Sequence, residues 1–120
     1  LPDCLVPLLK AIPRNVHPMD VLRTSVSVIA NFDPDVNLSA TDHAANVRKA
    51  ELLTAQMPTA IAARERLVKG LDPLPPRADL DHAANFLYMI NGQVPSEVKR
   101  HAFDVSLVLY AEHELNASTS

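Results

Sequence analysis

The sequence predicts an all-α protein, and three observations predict it. Ten prolines and two glycines punctuate the 120 residues, and the stretches between them carry apolar residues at helical rather than alternating spacing. Aromatic residues are only 4% of the chain and tryptophan is absent, while apolar residues reach 48%. The core must therefore be built from Ala, Leu, Val, Ile and Met, side chains that suit close-packed helices better than a sheet. The expectation is about five helices in a single helical unit spanning residues 1–120, with no convincing strand.

The first helix is expected from about Asp3 to Ala11, with Leu5, Leu8, Leu9 and Ile12 on one side. Pro7 is tolerable there because it lies near the first turn, and Pro13 closes the helix. A second starts at Pro18 or Met19, where proline pre-sets φ for the first helical position. It carries Leu22, Val26 and Ile29 on one stripe, with Val21, Val28 and Phe32 beside it, and ends at Asp33-Pro34. Residues 35–40 form a polar connection.

Thr41 or Asp42 then supplies an N-cap oxygen for a long Ala-rich helix running to Lys69, with Gly70 as its stop. Pro58 removes the bond to the Thr54 carbonyl and presses against it, at a cost of ~3 kcal/mol that packing must offset. A kink at Pro58 is expected, and a break into two helices is the alternative. Leu71 to Arg77 holds three prolines and reads as a loop. Asp81 caps a short helix through Ala83, Ala84, Leu87 and Ile90, stopped by Asn91-Gly92. Ser96 caps the last helix, through Val98, Ala102, Val105 and Leu109. From Val105 to Ala111 it is apolar almost all round, which predicts a central, buried element. The pentapeptide at 42–46, Asp-His-Ala-Ala-Asn, recurs at 81–85. Both copies fall at helix starts, where an Asp cap followed by Ala is locally favoured.

Charge and length exclude several functions. Eleven basic and fourteen acidic residues give a net charge of −3 with no block of one sign, so nucleic-acid binding is not expected. The most apolar stretch, Val105 to Ala111, is broken by Ser106 and falls far short of the ~20 residues that span a bilayer. Asp3 and Pro7 interrupt the place where a signal peptide would be apolar. Cys4 is the only cysteine, which rules out an internal disulfide and fits a cytoplasmic setting. At 13.1 kDa the chain is much shorter than enzymes that close two domains over a substrate. Both ends, Leu1-Pro2 and Ser120, read as cut or incomplete.

The densest polar cluster is Glu112-His113-Glu114, followed by Asn116, Ser118 and Thr119. An imidazole brought between two carboxylates at the end of a buried helix is held fixed and tends to be protonated, which suits a dicarboxylate ligand. A structural histidine at the helix C-terminus, favoured by the helix dipole, is an equal reading of the same residues. Metal binding is not expected, because the zinc helix motif that His113-Glu114 begins has Ala117 where its second histidine belongs. His17 before the second helix reads as a loop or packing residue; His43, His82 and His101 read as solvated or locally hydrogen-bonded. No Gly-rich phosphate loop and no Gly-x-Ser-x-Gly elbow occur.

Four stretches carry a resemblance: His17-Pro18-Met19-Asp20-Val21-Leu22-Arg23-Thr24, Ala55-Gln56-Met57-Pro58-Thr59, Asn85-Phe86-Leu87-Tyr88-Met89, and Tyr110-Ala111-Glu112-His113-Glu114-Leu115-Asn116-Ala117-Ser118-Thr119. In order and spacing they resemble the citrate synthase family, including 2-methylcitrate synthases. The resemblance implies part of that family's all-helical large domain, with the small domain absent. The second helix and the Pro58 helix look like the pair that packs against its symmetry mates in a homodimer.

It also implies an acyltransferase condensing acetyl-CoA or propionyl-CoA with oxaloacetate, with no permanently bound cofactor. A carboxylate removes an acyl α-proton and a histidine stabilises the enol. His113 matches the oxaloacetate-holding histidine, and Asn116 and Ser118 match active-site lining positions. The base, the enol-stabilising histidine and most coenzyme A contacts fall in sequence that would follow Ser120. The chain is therefore expected to hold no catalytic residue and to be inactive as isolated. The Tyr-Ala-Glu-His-Glu form leans towards 2-methylcitrate synthases. The alternative is a helical dimerisation module that has lost catalysis.

Overall fold

The computed structural model describes residues 1–112. Five helices run in order: α1 (Leu5–Ala11), α2 (Pro18–Ala30), α3 (His43–Val68), α4 (His82–Asn91) and α5 (Glu97–Tyr110). No strand occurs among the described residues, and the all-α expectation is met. Packing divides the chain into two compact units, Leu1–Pro75 and a second beginning at Pro76.

In the first unit, α1, α2 and α3 each pack against the other two. Leu5 and Leu9 of α1 are fully buried, and with Val21 and Ile29 of α2 and Ala60 and Ala63 of α3 they form the core. The small side chains at 60 and 63 let the helix backbones approach, so the two leucines fill the space that larger residues on α3 would take. Pro7 occupies the first turn of α1, where its missing N–H costs nothing. Pro18 is the first residue of α2, as its fixed φ favours.

α3 is one continuous helix through Pro58, so the alternative of two separate helices does not hold. The burial that offsets the ~3 kcal/mol of an interior proline lies just beyond it. Burying Leu5 and Leu9 is worth about 1.5–3 kcal/mol each, and both belong to one core cluster with Ala60 and Ala63. α3 ends in a full Schellman turn: Gly70 has φ of 75°, its N–H reaches the Leu67 carbonyl at 3.1 Å, and Leu71 N–H reaches the Arg66 carbonyl at 2.9 Å. Only a residue at ease with positive φ closes a helix this way.

The repeated pentapeptide is a repeated cap. Asp42 accepts from Ala45 N at 3.0 Å and Asp81 accepts from Ala84 N at 2.8 Å, each satisfying an orphan N–H of its helix. The asparagines reach back over the caps to the preceding loop: Asn46 donates to the Ala40 carbonyl at 2.8 Å. Asn85 brackets Arg77, accepting from its N–H at 2.8 Å and donating to its carbonyl at 2.7 Å. The third residue of each helix, Ala45 or Ala84, is buried, where a larger side chain would not fit.

In the second unit α4 packs against α5. Ala83, Ala84 and Met89 are its buried residues, and Phe86 stacks on Phe103 with centroids 5.2 Å apart. The expectation of a central, buried α5 is corrected here. None of its residues is buried, and Val98, Val108, Leu109 and Tyr110 are each 70–80% exposed. Among the described residues of its unit α5 packs against one helix, and one neighbour covers only one stripe of a helix that is apolar on several.

Candidate functional site

His113, Asn116 and Ser118, the site residues expected from the sequence, lie outside the described residues. What is described is the element that leads to them. Ser96 caps α5 by accepting from Lys99 N at 3.5 Å, and Glu97 stands in its first turn, where a carboxylate meets the positive end of the helix dipole.

Arg100 then ties the start of α5 to the start of α4. Its Nε donates to Glu97 Oε2 at 2.9 Å, its Nη2 donates to Glu97 Oε1, and its Nη1 donates to Asp81 Oδ2 at 2.9 Å. The other oxygen of Asp81 is the α4 cap, so one carboxylate serves both the cap and the link between helices. Hydrogen bonding by Arg100 holds the Glu97 carboxyl below its ordinary 4.5. Phe103, stacked on Phe86, fixes the next turn. From there α5 runs on to Tyr110, with Ala111 as its cap, and the motif that begins at Tyr110 continues into residues 113–119.

His17 is the N-cap of α2, its Nδ1 accepting from Met19 N at 3.2 Å; His43 and His82 open α3 and α4, and with His101 they are exposed. Among the described residues no group of three His, Cys, Asp or Glu side chains could hold a metal ion.

One polar residue is invisible to sequence reasoning. Arg64 is 9% exposed, and its guanidinium closes off the C-terminal end of α1. Nη1 donates to the Leu9 and Ile12 carbonyls at 2.7 and 2.9 Å, and Nη2 donates to Pro13 O at 2.6 Å. A positive charge there satisfies carbonyls that a helix end leaves unpaired and complements the helix dipole. The available signal is an arginine four residues after Ala60, on the stripe where Ala60 and Ala63 are buried and Leu67 partly so. In a long charged helix that position is not distinguishable from a surface arginine without knowing which face is inward.

Arg64 also lines a cavity of about 250 Å³ in the first unit, with Lys10, Arg14, Leu67, Gly70 and Asp72 among its walls. Its chemistry is polar and mainly cationic.

Comparison with known proteins adds the family context. A family model described as citrate synthase, C-terminal domain, matches residues 1–120. The chain is 43% identical over 119 residues to a citrate synthase of Heyndrickxia coagulans, covering 99% of this chain and 31% of that protein. It is 44% identical over 115 residues to a 2-methylcitrate synthase of Mycobacterium tuberculosis, covering 96% and 28%. A crystal structure of citrate synthase from Pyrobaculum aerophilum superposes with a TM-score of 0.89 at 35% identity, covering 99% of this chain and 31% of that one. The chain thus spans about a third of the length of the relatives it matches.

Proposed function

The chain belongs to the citrate synthase family, and we propose that the protein carrying it condenses an acyl-CoA with oxaloacetate. The product is citrate from acetyl-CoA or 2-methylcitrate from propionyl-CoA. The match of nearly the whole of this chain to proteins bearing both names carries this reading.

In this reading His113 is the oxaloacetate ligand, and Asn116 and Ser118 line the same site. An imidazole that tends to be protonated suits a dicarboxylate, because charge-assisted hydrogen bonds are about twice as strong as neutral ones. The support within the structure is positional. The motif follows a helix whose first two turns are pinned by Arg100 and Phe103. By resemblance the base and the enol-stabilising histidine are not among residues 1–120, so these residues alone do not turn over, and acyl-CoA enters as a substrate rather than a resident cofactor.

The homodimer belongs to the proposal too, through α2 and α3. Met19, Val47 and Ile61 are exposed apolar residues on those helices, of the kind a two-fold interface covers. No described helix is long and apolar enough to cross a membrane, and we place the protein in the cytoplasm. The test is coenzyme A release by the whole protein carrying this chain, with acetyl-CoA and propionyl-CoA offered separately alongside oxaloacetate. Release with either acyl-CoA is expected and the faster one names the product; release with neither, from folded protein, refutes the proposal.

A further inference from the structure

The cavity beside Arg64 lies in the first unit and plays no part in the His113 reading. Its volume of about 250 Å³ falls just under the ~300–1,000 Å³ of pockets for drug-sized ligands, which sets the scale of an occupant at a few heavy atoms. Three cationic side chains line it, Lys10, Arg14 and Arg64, against one carboxylate, Asp72.

Arg64 is the informative member. It is about nine-tenths buried, yet the Leu9, Ile12 and Pro13 carbonyls take only three of its N–H groups. A guanidinium has five. Among the described residues Arg64 has no carboxylate partner and no acceptor for the other two. A buried charge without a counter-ion is costly, and the charge here borders a space open to a small anion. Lys10 and Arg14 make no ion pair among the described residues either, so neither has to break a bond to meet one. Gly70 keeps one wall low: a Cβ added there would meet nothing within 4 Å.

We propose that Lys10, Arg14 and Arg64 form a binding site for a phosphate group, either inorganic phosphate or a small phosphate monoester. Three cations from two separate parts of the sequence converge on one small cavity, and a tetrahedral dianion presents enough acceptor oxygens to meet all three. Asp72 opposes the ligand and sets an upper limit on affinity. Ile12 and Leu67, which also line the cavity, offer apolar contact to a short organic tail.

The test is calorimetric titration of the purified protein carrying this chain, at constant ionic strength. Inorganic phosphate and glycerol phosphate are titrated separately, without acyl-CoA or oxaloacetate, so the outcome is independent of the condensation assay. Saturable binding to wild type is expected, with affinity reduced by about tenfold or more in the Lys10→Ala/Arg14→Ala double variant. Both residues are exposed, so helicity should be unchanged. Asp72→Asn should bind more tightly than wild type. Tighter binding of glycerol phosphate identifies a monoester as the ligand; equal or weaker binding identifies the inorganic ion. Absence of saturable binding, or equal affinity in wild type, the double variant and Asp72→Asn, overturns the proposal.

Discussion

Arg64 on α3 donates to the Leu9 carbonyl on α1 at 2.7 Å, joining two residues 55 apart in sequence through a buried contact. With the bonds to Ile12 and Pro13, this one side chain fixes where α1 ends relative to α3. Hydrogen bonds from charged donors are worth about 1.5–3 kcal/mol each and do not add fully. Arg64→Met should therefore destabilise the first unit by roughly 2–5 kcal/mol, read from the denaturant midpoint. Arg64→Lys should recover less than half, because one ammonium cannot reproduce a fork that reaches three carbonyls. A lysine variant as stable as wild type would mean that charge alone, not geometry, is what α1 requires.

The two matching caps should not be equal in energy. Asp42→Ala removes one cap bond, at about 1 kcal/mol. Asp81→Ala removes a cap bond and also the acceptor of Arg100 Nη1, so it should cost more. Chemical denaturation of the two single variants checks the order. Adding Arg100→Ala should reduce the Asp81 penalty towards that of Asp42, since a double-mutant cycle isolates the shared interaction.

Acid should weaken the second unit. Asp79 accepts both Arg77 bonds, at 3.0 and 2.7 Å, and Arg77 hydrogen bonding lowers its pKa below the ordinary 3.8. Glu97 is lowered below 4.5 by Arg100. Each carboxyl is thus more acidic folded than unfolded, so the unfolded state binds more protons in this range. The stabilisation is complete above these ordinary values and is lost as pH falls through the folded ones. Both pairs are solvent-exposed, so the effect should be modest and screened by salt. Thermal midpoints between about pH 6 and pH 3 should fall less steeply in Asp79→Asn/Glu97→Gln than in wild type.

The exposed end of α5 should make residues 1–120 associate when expressed alone. Val108, Leu109 and Tyr110 form a run of large apolar surface of the kind that drives non-specific contact. Gel filtration against a monomer standard should show a larger species that shifts towards monomer in Val108→Lys/Leu109→Glu. An unchanged elution volume would point to another surface.

In the whole protein, His113→Ala should weaken oxaloacetate binding by about tenfold or more, the value of one charge-assisted hydrogen bond of about 1.5–3 kcal/mol. Equilibrium binding of oxaloacetate checks it without relying on turnover. Unaltered affinity would remove His113 from the site.

The sequence by itself determined the secondary structure and its punctuation. Asp42, Asp81 and Ser96 as caps, Pro18 at a helix start, and Gly70 and Gly92 as stops all act through bonds and dihedral limits within a few residues, so they can be read along the chain. The motif from Tyr110 to Thr119 carries the family resemblance through residue identity and spacing alone. Only the tertiary structure decided which faces are inward. It placed Arg64 in the interior, where the sequence shows one arginine among many, and it left α5 uncovered, where hydrophobicity alone predicted burial. Burial depends on which other elements are present to cover a face, and a helix's own composition does not contain that information. The convergence of Lys10, Arg14 and Arg64 on one cavity was illegible for the same reason: residues far apart along the chain become neighbours only when α1 and α3 pack.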